Sequence, residues 1–236
     1  MSSLAEKYRP KNLDDLKGQP NALLICELAE HHVAPCYLFY GPPGTGKTST
    51  AKLLISKIEP NFDQNTSDIV EVNCSLNGNV DDIKNVIYTK CQTMPRTLNR
   101  KYVILDECHM LSATAQASLL NIMEMPPPFL TFILCTTEPR KLARPNKSRC
   151  LQVKFLPAKQ DDLVSVLKNV CEEEGIEHDQ ESLEIIAQLS SGSFREALMI
   201  LSQYIAIGAT KNNVETYSGS ITKNSVEQLI DRKSVV

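Results

Sequence analysis

The chain has 236 residues, with 25 Lys+Arg against 28 Asp+Glu and a formal net charge of -3 at pH 7. Its 42% hydrophobic and 22% charged residues, with a mean hydropathy of -0.20, suffice for a buried core and exclude disordered and fibrous classes. No apolar run approaches the roughly 18 residues of a membrane helix, and the first ten residues, charged by Glu6, lack the apolar stretch of a secretion signal.

In chain order, Tyr37–Tyr40 is a short apolar run that reads as a strand entering a Gly-Pro turn. Ala51, Leu54, Ile55 and Ile58 recur at helical spacing over 47–58. Ile69–Val72 is a second predicted strand, and 80–88 a helix with Val80, Ile83, Val86 and Ile87 on one face. Tyr102–Leu105 has the unbroken apolar character of a central parallel strand. A helix over 115–125 stops at Pro126-Pro127-Pro128, and strands follow at 129–135 and 151–155. Alternating strands and helices predict right-handed βαβ units, hence an α/β fold with a parallel sheet sandwiched by helices. After Pro157 the pattern is helical only: 161–174 before Gly175, 179–190 before Gly192, and a helix through Ile207 opened by a capping box at Ser193 and Glu196. The expected domains are an α/β domain at 1–156 and a small helical lid at 157–236.

The eight cysteines lie no closer than ten positions apart and form no C-x-x-C pair, which supports neither a zinc ribbon nor a redox dithiol and suits a reducing cytosol. Charge is distributed unevenly. Residues 1–156 carry 18 cations against 15 acids, and residues 157–236 carry 7 against 13. Two stretches, 84–101 and 139–159, hold only cations, a local potential that can meet a phosphate backbone although the whole chain is acidic.

Gly41-Pro42-Pro43-Gly44-Thr45-Gly46-Lys47-Thr48 fits G-x-x-x-x-G-K-[ST] between a predicted strand and a predicted helix. In such a loop glycines turn backbone N–H groups toward phosphate oxygens at a helix N-terminus, Lys47 reaches the β- and γ-phosphates, and the Thr48 hydroxyl ligates Mg2+. Asp106-Glu107 ends the apolar strand beginning at Tyr102. Asp106 can hold the Mg2+ shell, and Glu107 can orient and deprotonate a water facing the γ-phosphate.

Together these residues resemble the AAA+ ATPases, and within them the motor subunits of sliding-clamp loaders, the replication factor C small subunits and bacterial gamma/tau-type subunits. Tyr8-Arg9-Pro10-Lys11 with Leu16-Lys17-Gly18-Gln19 is similar to their adenine-contacting segment, which assigns Lys7, Tyr8, Arg9 and Leu16 to the base. Asp106 to Leu111 resembles the Walker B stretch, and Leu134 to Pro139 the sensor-1 stretch, with Thr137 sensing the γ-phosphate. Ser148-Arg149-Cys150 matches the motif whose arginine acts in trans on a neighbouring subunit's ATP. Gly192 to Leu198 resembles the sensor-2 helix, which places Arg195 on the nucleotide. Asn73 follows the second strand, where the family often keeps a polar partner that restrains the catalytic Glu until DNA binds.

Two features depart from the family. Ser56 to Asp68 lacks the four-cysteine zinc module of the bacterial subunits, so ATP and Mg2+ are expected but no zinc. The family's third, collar domain would begin near Val236, where the sequence stops, so that domain is expected to be absent or truncated. The resemblance implies partners in a subunit ring, a sliding clamp and primer–template DNA, with no membrane. It also implies a cytoplasmic location (nucleoid-associated, or host cytoplasm if viral) and a nuclear one only in a eukaryote. Two other readings stay open. Asp106-Glu107-Cys108-His109 also matches the D-E-x-H box of helicases, and an AAA+ branch-migration motor would share it, although each needs a further domain. A non-hydrolysing stator would not need Glu107.

Overall fold

A computed structural model of the chain describes residues 3–63, 65–76, 91 and 93–206. The helix predicted over 80–88 lies outside them, as do Lys84, Lys90 and Ile207. The described residues fall into two compact units, one spanning Pro10–Leu156, the other joining the N-terminal residues through Arg9 to the chain from Pro157 onward.

The larger unit is a five-stranded sheet of β1 (Cys36–Tyr40), β2 (Ile69–Asn73), β3 (Lys101–Asp106), β4 (Leu130–Thr136) and β5 (Leu151–Lys154). The strand order is β2-β3-β4-β1-β5 and every pairing is parallel. Helices cover both faces, so the strands can be apolar throughout, and successive side chains enter different cores. Leu38, Val103, Leu105 and Phe132 pack with Leu119 and Met123 of the helix Ala113–Glu124. Tyr37, Phe39, Tyr102 and Ile104 pack with the helices Pro20–Ala29 and Lys47–Ile58 on the opposite face. In chain order we label the helices α1 (Leu4–Lys7), α2 (Pro20–Ala29), α3 (Lys47–Ile58), α4 (Ala113–Glu124), α5 (Arg144–Ser148), α6 (Gln160–Glu174), α7 (Gln180–Leu189) and α8 (Phe194–Ala206).

Periodicity does not announce α2. Its inward positions Ala22, Cys26 and Ala29 are small, whereas Leu24 and Leu28 are about half exposed, so the apolar residues mark no single face. At the amino ends of β2 and β3, Glu59 and Asp68 are buried and tie down the loop that leads into β3.

The second unit packs α1, α6, α7 and α8 around Leu163, Leu167, Leu183, Ile186 and Leu201. Leu4, Ala5 and Tyr8 lie against this core, so the N-terminal end differs from the 1–156 expectation: residues to Arg9 belong with the helical unit, drawn there by their apolar side chains. The capping box at the start of α8 is half formed. Glu196 N–H donates to Ser193 Oγ (3.2 Å), while the Ser193 N–H goes to the Ser190 carbonyl.

Candidate active site

β1 is flanked by β4 and β5 and delivers the chain to Gly41 at the carboxyl edge of the sheet, where a change in strand order opens a crevice. A Cβ on Gly41 would sit 2.4 Å from the Phe155 carbonyl oxygen, so only glycine lets the loop leave β1 this close to its neighbour. Gly46, with φ of 94°, starts α3 from the left-handed region. Thr45 Oγ1 donates to Pro42 O (2.9 Å) and closes the loop on itself. Lys47 Nζ donates to Gly41 O (3.0 Å) and Pro42 O (2.7 Å), which holds a buried ammonium against the loop at the mouth of α3. Pro43 and Gly44 complete the loop, and an added Cβ at Gly46 would meet Leu16 at 3.8 Å, which puts Leu16 beside it.

Asp106 ends β3 on the same edge. Its Oδ2 accepts from Thr48 Oγ1 (2.9 Å) and its Oδ1 from Glu107 N–H (3.0 Å). A hydroxyl and a carboxylate this close are hard oxygen donors of the kind Mg2+ takes, so the pair fits the ion that a phosphate loop implies. Glu107 has φ of 50° and ψ of 42°, a left-handed conformation costing on the order of 1–3 kcal/mol for a non-glycine residue. Its Oε2 accepts from Thr137 Oγ1 (3.3 Å) and lies 3.2 Å from His109 Nδ1. His109 Nδ1 is also 3.1 Å from Thr136 Oγ1, and its Nε2 is 3.5 Å from Glu138 Oε1. Lys141 donates to Glu138 and holds that carboxyl below the ordinary glutamate range.

Thr48, Asp106, Glu107 and Thr137 therefore meet at one edge with Lys47. Asn73 is in register with Asp106 on the neighbouring strand, but its Oδ1 accepts from Ser75 N–H (3.0 Å) and Ser75 Oγ (2.5 Å); the described residues that contact the Glu107 carboxylate are Thr137 and His109. Arg149 lies at the opposite edge, two residues before β5. Its guanidinium pairs with Glu124 Oε1 (2.7 Å) and donates to Pro145 O (3.1 Å). Lys7, Tyr8 and Arg9 belong to the helical unit, where Lys7 and Tyr8 both donate to Glu174, Tyr8 at 2.7 Å. Burial, with that carboxylate beside it, pushes the Tyr8 phenol up. Arg195 is exposed on the first turn of α8 in the same unit. Of the basic stretch 84–101, Lys101 is buried with its ammonium on Thr93, which removes it from any surface patch.

The family model of the "ATPase family associated with various cellular activities (AAA)" matches residues 37–158, which hold the phosphate loop, β3 and β4. The chain belongs to the AAA ATPases. A second model, the ATPase lid domain of the DNA polymerase III clamp loader subunit, matches residues 162–210. The chain is 35% identical to the replication factor C small subunit of Staphylothermus marinus over 230 residues, covering 96% of this chain and 69% of that one. It is 32% identical to DNA polymerase III subunit tau of Bacillus subtilis over 232 residues, 90% of this chain but 41% of the relative. Among solved structures it superposes on the Holliday junction branch migration motor RuvB of Thermotoga maritima with a TM-score of 0.69 and 22% identity, over 89% of this chain and 71% of that one, a likeness of fold. This AAA ATPase therefore has its relatives among clamp-loader subunits and spans 69% and 41% of the two named here.

His109 and Thr136 are the members of this AAA site that motif reading alone does not assign. The signal for His109 was present in Asp106-Glu107-Cys108-His109: one 3-10 turn, Cys108–Met110, brings a residue three positions after Asp106 back to the same edge. Thr136 is the last residue of β4 and gives no sign of its role before the fold places it against His109.

Proposed function

We propose that this AAA ATPase is the ATP-hydrolysing subunit of a sliding-clamp loader, which couples ATP binding and hydrolysis to opening a ring-shaped clamp and placing it on primed DNA. The observation that carries the reading is the convergence of Lys47, Thr48, Asp106 and Glu107 at one sheet edge in a chain whose residues 162–210 match a clamp-loader lid.

ATP phosphates would lie along the Gly41–Thr48 loop at the N-terminus of α3, with Lys47 moving from the loop carbonyls to the phosphate oxygens. Thr48 and Asp106 would hold Mg2+, which neutralises charge on the β- and γ-phosphates. Glu107 orients a water in line with the γ-phosphorus and takes its proton. The Thr137 hydroxyl occupies Glu107 in this structure, so a γ-phosphate that draws Thr137 away would release the base. Leu16 with Lys7, Tyr8 and Arg9 would bracket adenine, Arg195 would reach the nucleotide from the lid, and Asn73 would bear on Glu107 only after leaving Ser75.

Arg149 acts on a different chain's ATP. The register sets Leu151 opposite Tyr37, four residues before Gly41 along β1. At ~3.3 Å per residue that is about 13 Å from the loop, and Arg149 lies two residues further back. Other subunits in a ring are thus required partners, with clamp and primer–template DNA. Arg140, Arg144, Lys147 and Lys154 are cations that could meet the DNA phosphates.

The test is ATP turnover by the assembled loader, with clamp and primed DNA added singly and together. The full rate is expected only with both. Stimulation by DNA alone would favour a branch-migration motor, and indifference to both would leave a stator.

A further inference from the structure

All eight cysteines are free thiols, and two of them meet. Cys36 Sγ and Cys150 Sγ are 2.9 Å apart although 114 positions separate them in sequence. The sheet register accounts for the meeting. β1 and β5 pair in parallel with Tyr37 opposite Leu151, and Cys36 and Cys150 are the residues immediately before that pair. Neighbouring strands run ~4.8 Å apart. That spacing lies inside the roughly 4.4–6.8 Å between Cα atoms that a disulfide spans. Both side chains also turn to the same face: Cys36 is part of the core beneath α4, and Cys150 packs on its rim.

The two thiols differ in access. Cys36 is buried, whereas Cys150 is only half-buried. From this pairing we infer that Cys36 and Cys150 form an oxidisable dithiol, which a hydroperoxide closes to a disulfide and a small dithiol reopens. Cys150 reacts first: its sulfur forms an S–O bond as the peroxide O–O bond breaks, leaving a sulfenic acid and releasing the alcohol, or water from hydrogen peroxide. Cys36 then gives up its proton and attacks that sulfur, so the S–S bond forms, the S–O bond breaks and water leaves. The two thiols are oxidised and one peroxide is reduced. The order follows from access, and burial together with the Cys150 contact holds the Cys36 thiol well above the ordinary range. Closure would also end the Cys150 Sγ hydrogen bond to Asn146 O (3.1 Å), in the last turn before Arg149.

A competing thiol is Cys108, buried in the same core. The test is to expose the full folded chain to about one equivalent of hydrogen peroxide, block the remaining thiols and map the peptides without reduction. The expected product is a single internal cross-link between the Cys36 and Cys150 peptides, two hydrogens lighter and reversed by dithiothreitol. Cys36→Ala and Cys150→Ser should each abolish it, and Cys150→Ser, at the half-buried position, keeps the test valid if Cys36→Ala does not fold. A Cys108–Cys150 or intermolecular link, a Cys150 sulfenic acid that persists beside a free Cys36, or no reaction at Cys150 would each overturn the inference.

Discussion

Both ends of β3 carry two carboxylates, and the pairs differ in what their oxygens face. At the amino end, Asp68 accepts the N–H groups of Arg96 (2.9 Å), Thr97 (2.7 Å) and Leu98 (3.1 Å) and the Thr97 hydroxyl (2.8 Å). Glu59 accepts Asn99 N–H (2.9 Å), Arg100 N–H (3.1 Å) and the Tyr102 phenol (2.8 Å), and both acids are 1% exposed. At the carboxyl end, Asp106 takes one donor on each oxygen, and the Glu107 side chain is 33% exposed with Thr137 and His109 on one oxygen only. A buried carboxylate held by three or more fixed donors is architecture, because both its oxygens are already engaged and closed to solvent. One that keeps open positions beside a phosphate loop can bind a metal or move a proton. Two acids of one type thus acquire opposite duties from the strand end at which they sit.

The comparison breaks most visibly if the carboxyl edge proves complete within one chain. Arg149, at the amino edge, should instead serve a neighbour, and a guanidinium supplied in trans is worth roughly 10³–10⁵ in rate. That is about 4–7 kcal/mol of transition-state stabilisation. Arg149→Ala and Glu107→Gln are each expected to bind ATP and be nearly inactive. Mixed, they should regain part of the wild-type turnover, since an Arg149→Ala subunit keeps Glu107 and borrows its neighbour's arginine. Co-assembly without recovery, or full activity of Arg149→Ala alone, would return Arg149 to the role its pairing with exposed Glu124 already shows.

A smaller effect sharpens the other end. Asp68→Asn replaces an acceptor oxygen by an amide that faces donors, which should cost on the order of 2–3 kcal/mol of unfolding free energy in urea. Turnover per folded subunit should not change, because Asp68 touches nothing at the phosphate loop. A fall in turnover without a fall in stability would mean the amino end is not purely architectural.

How far these roles could be read beforehand depended on whether they lie in local sequence. The phosphate loop, the strand ending in Asp106-Glu107 and the helix Lys47–Ile58 are contiguous, and their spacing carries both fold and chemistry. Glu59 and Asp68 gave no such sign, because their donors come from residues 96–102 and a lone acid in a loop reads as solvated surface. Lys101 is hidden for the same reason: a cation in a basic run looks exposed until the fold buries it on Thr93. The placement of Leu4–Lys7 with the distant helices α6 and α8 depends on contacts more than 150 positions apart, which no window of sequence displays.

The smallest predicted effect is on the acid side of the stability profile. Burial alone would raise the Asp68 carboxyl, but the donors from Thr97, Leu98 and Arg96 overcome it and hold the group below the ordinary aspartate range. A group with a depressed folded pKa adds stability in full above its unfolded value, near 3.9 for Asp, and loses it as pH falls toward the folded value. The wild-type chain should therefore lose unfolding free energy progressively below about pH 5, where the unfolded chain starts to bind the proton that folded Asp68 refuses. Asp68→Asn lacks this group and should show a shallower decline over the same interval, the difference between the two curves being the Asp68 contribution. Glu174, which accepts from Lys7 and Tyr8, is also held low but stays partly open to solvent, so Glu174→Gln should change the curve much less. Urea midpoints measured at intervals from pH 6 to pH 3 separate the three chains. Parallel curves for wild type and Asp68→Asn would show that the carboxylate at the amino end of β3 gains nothing from its ring of N–H donors.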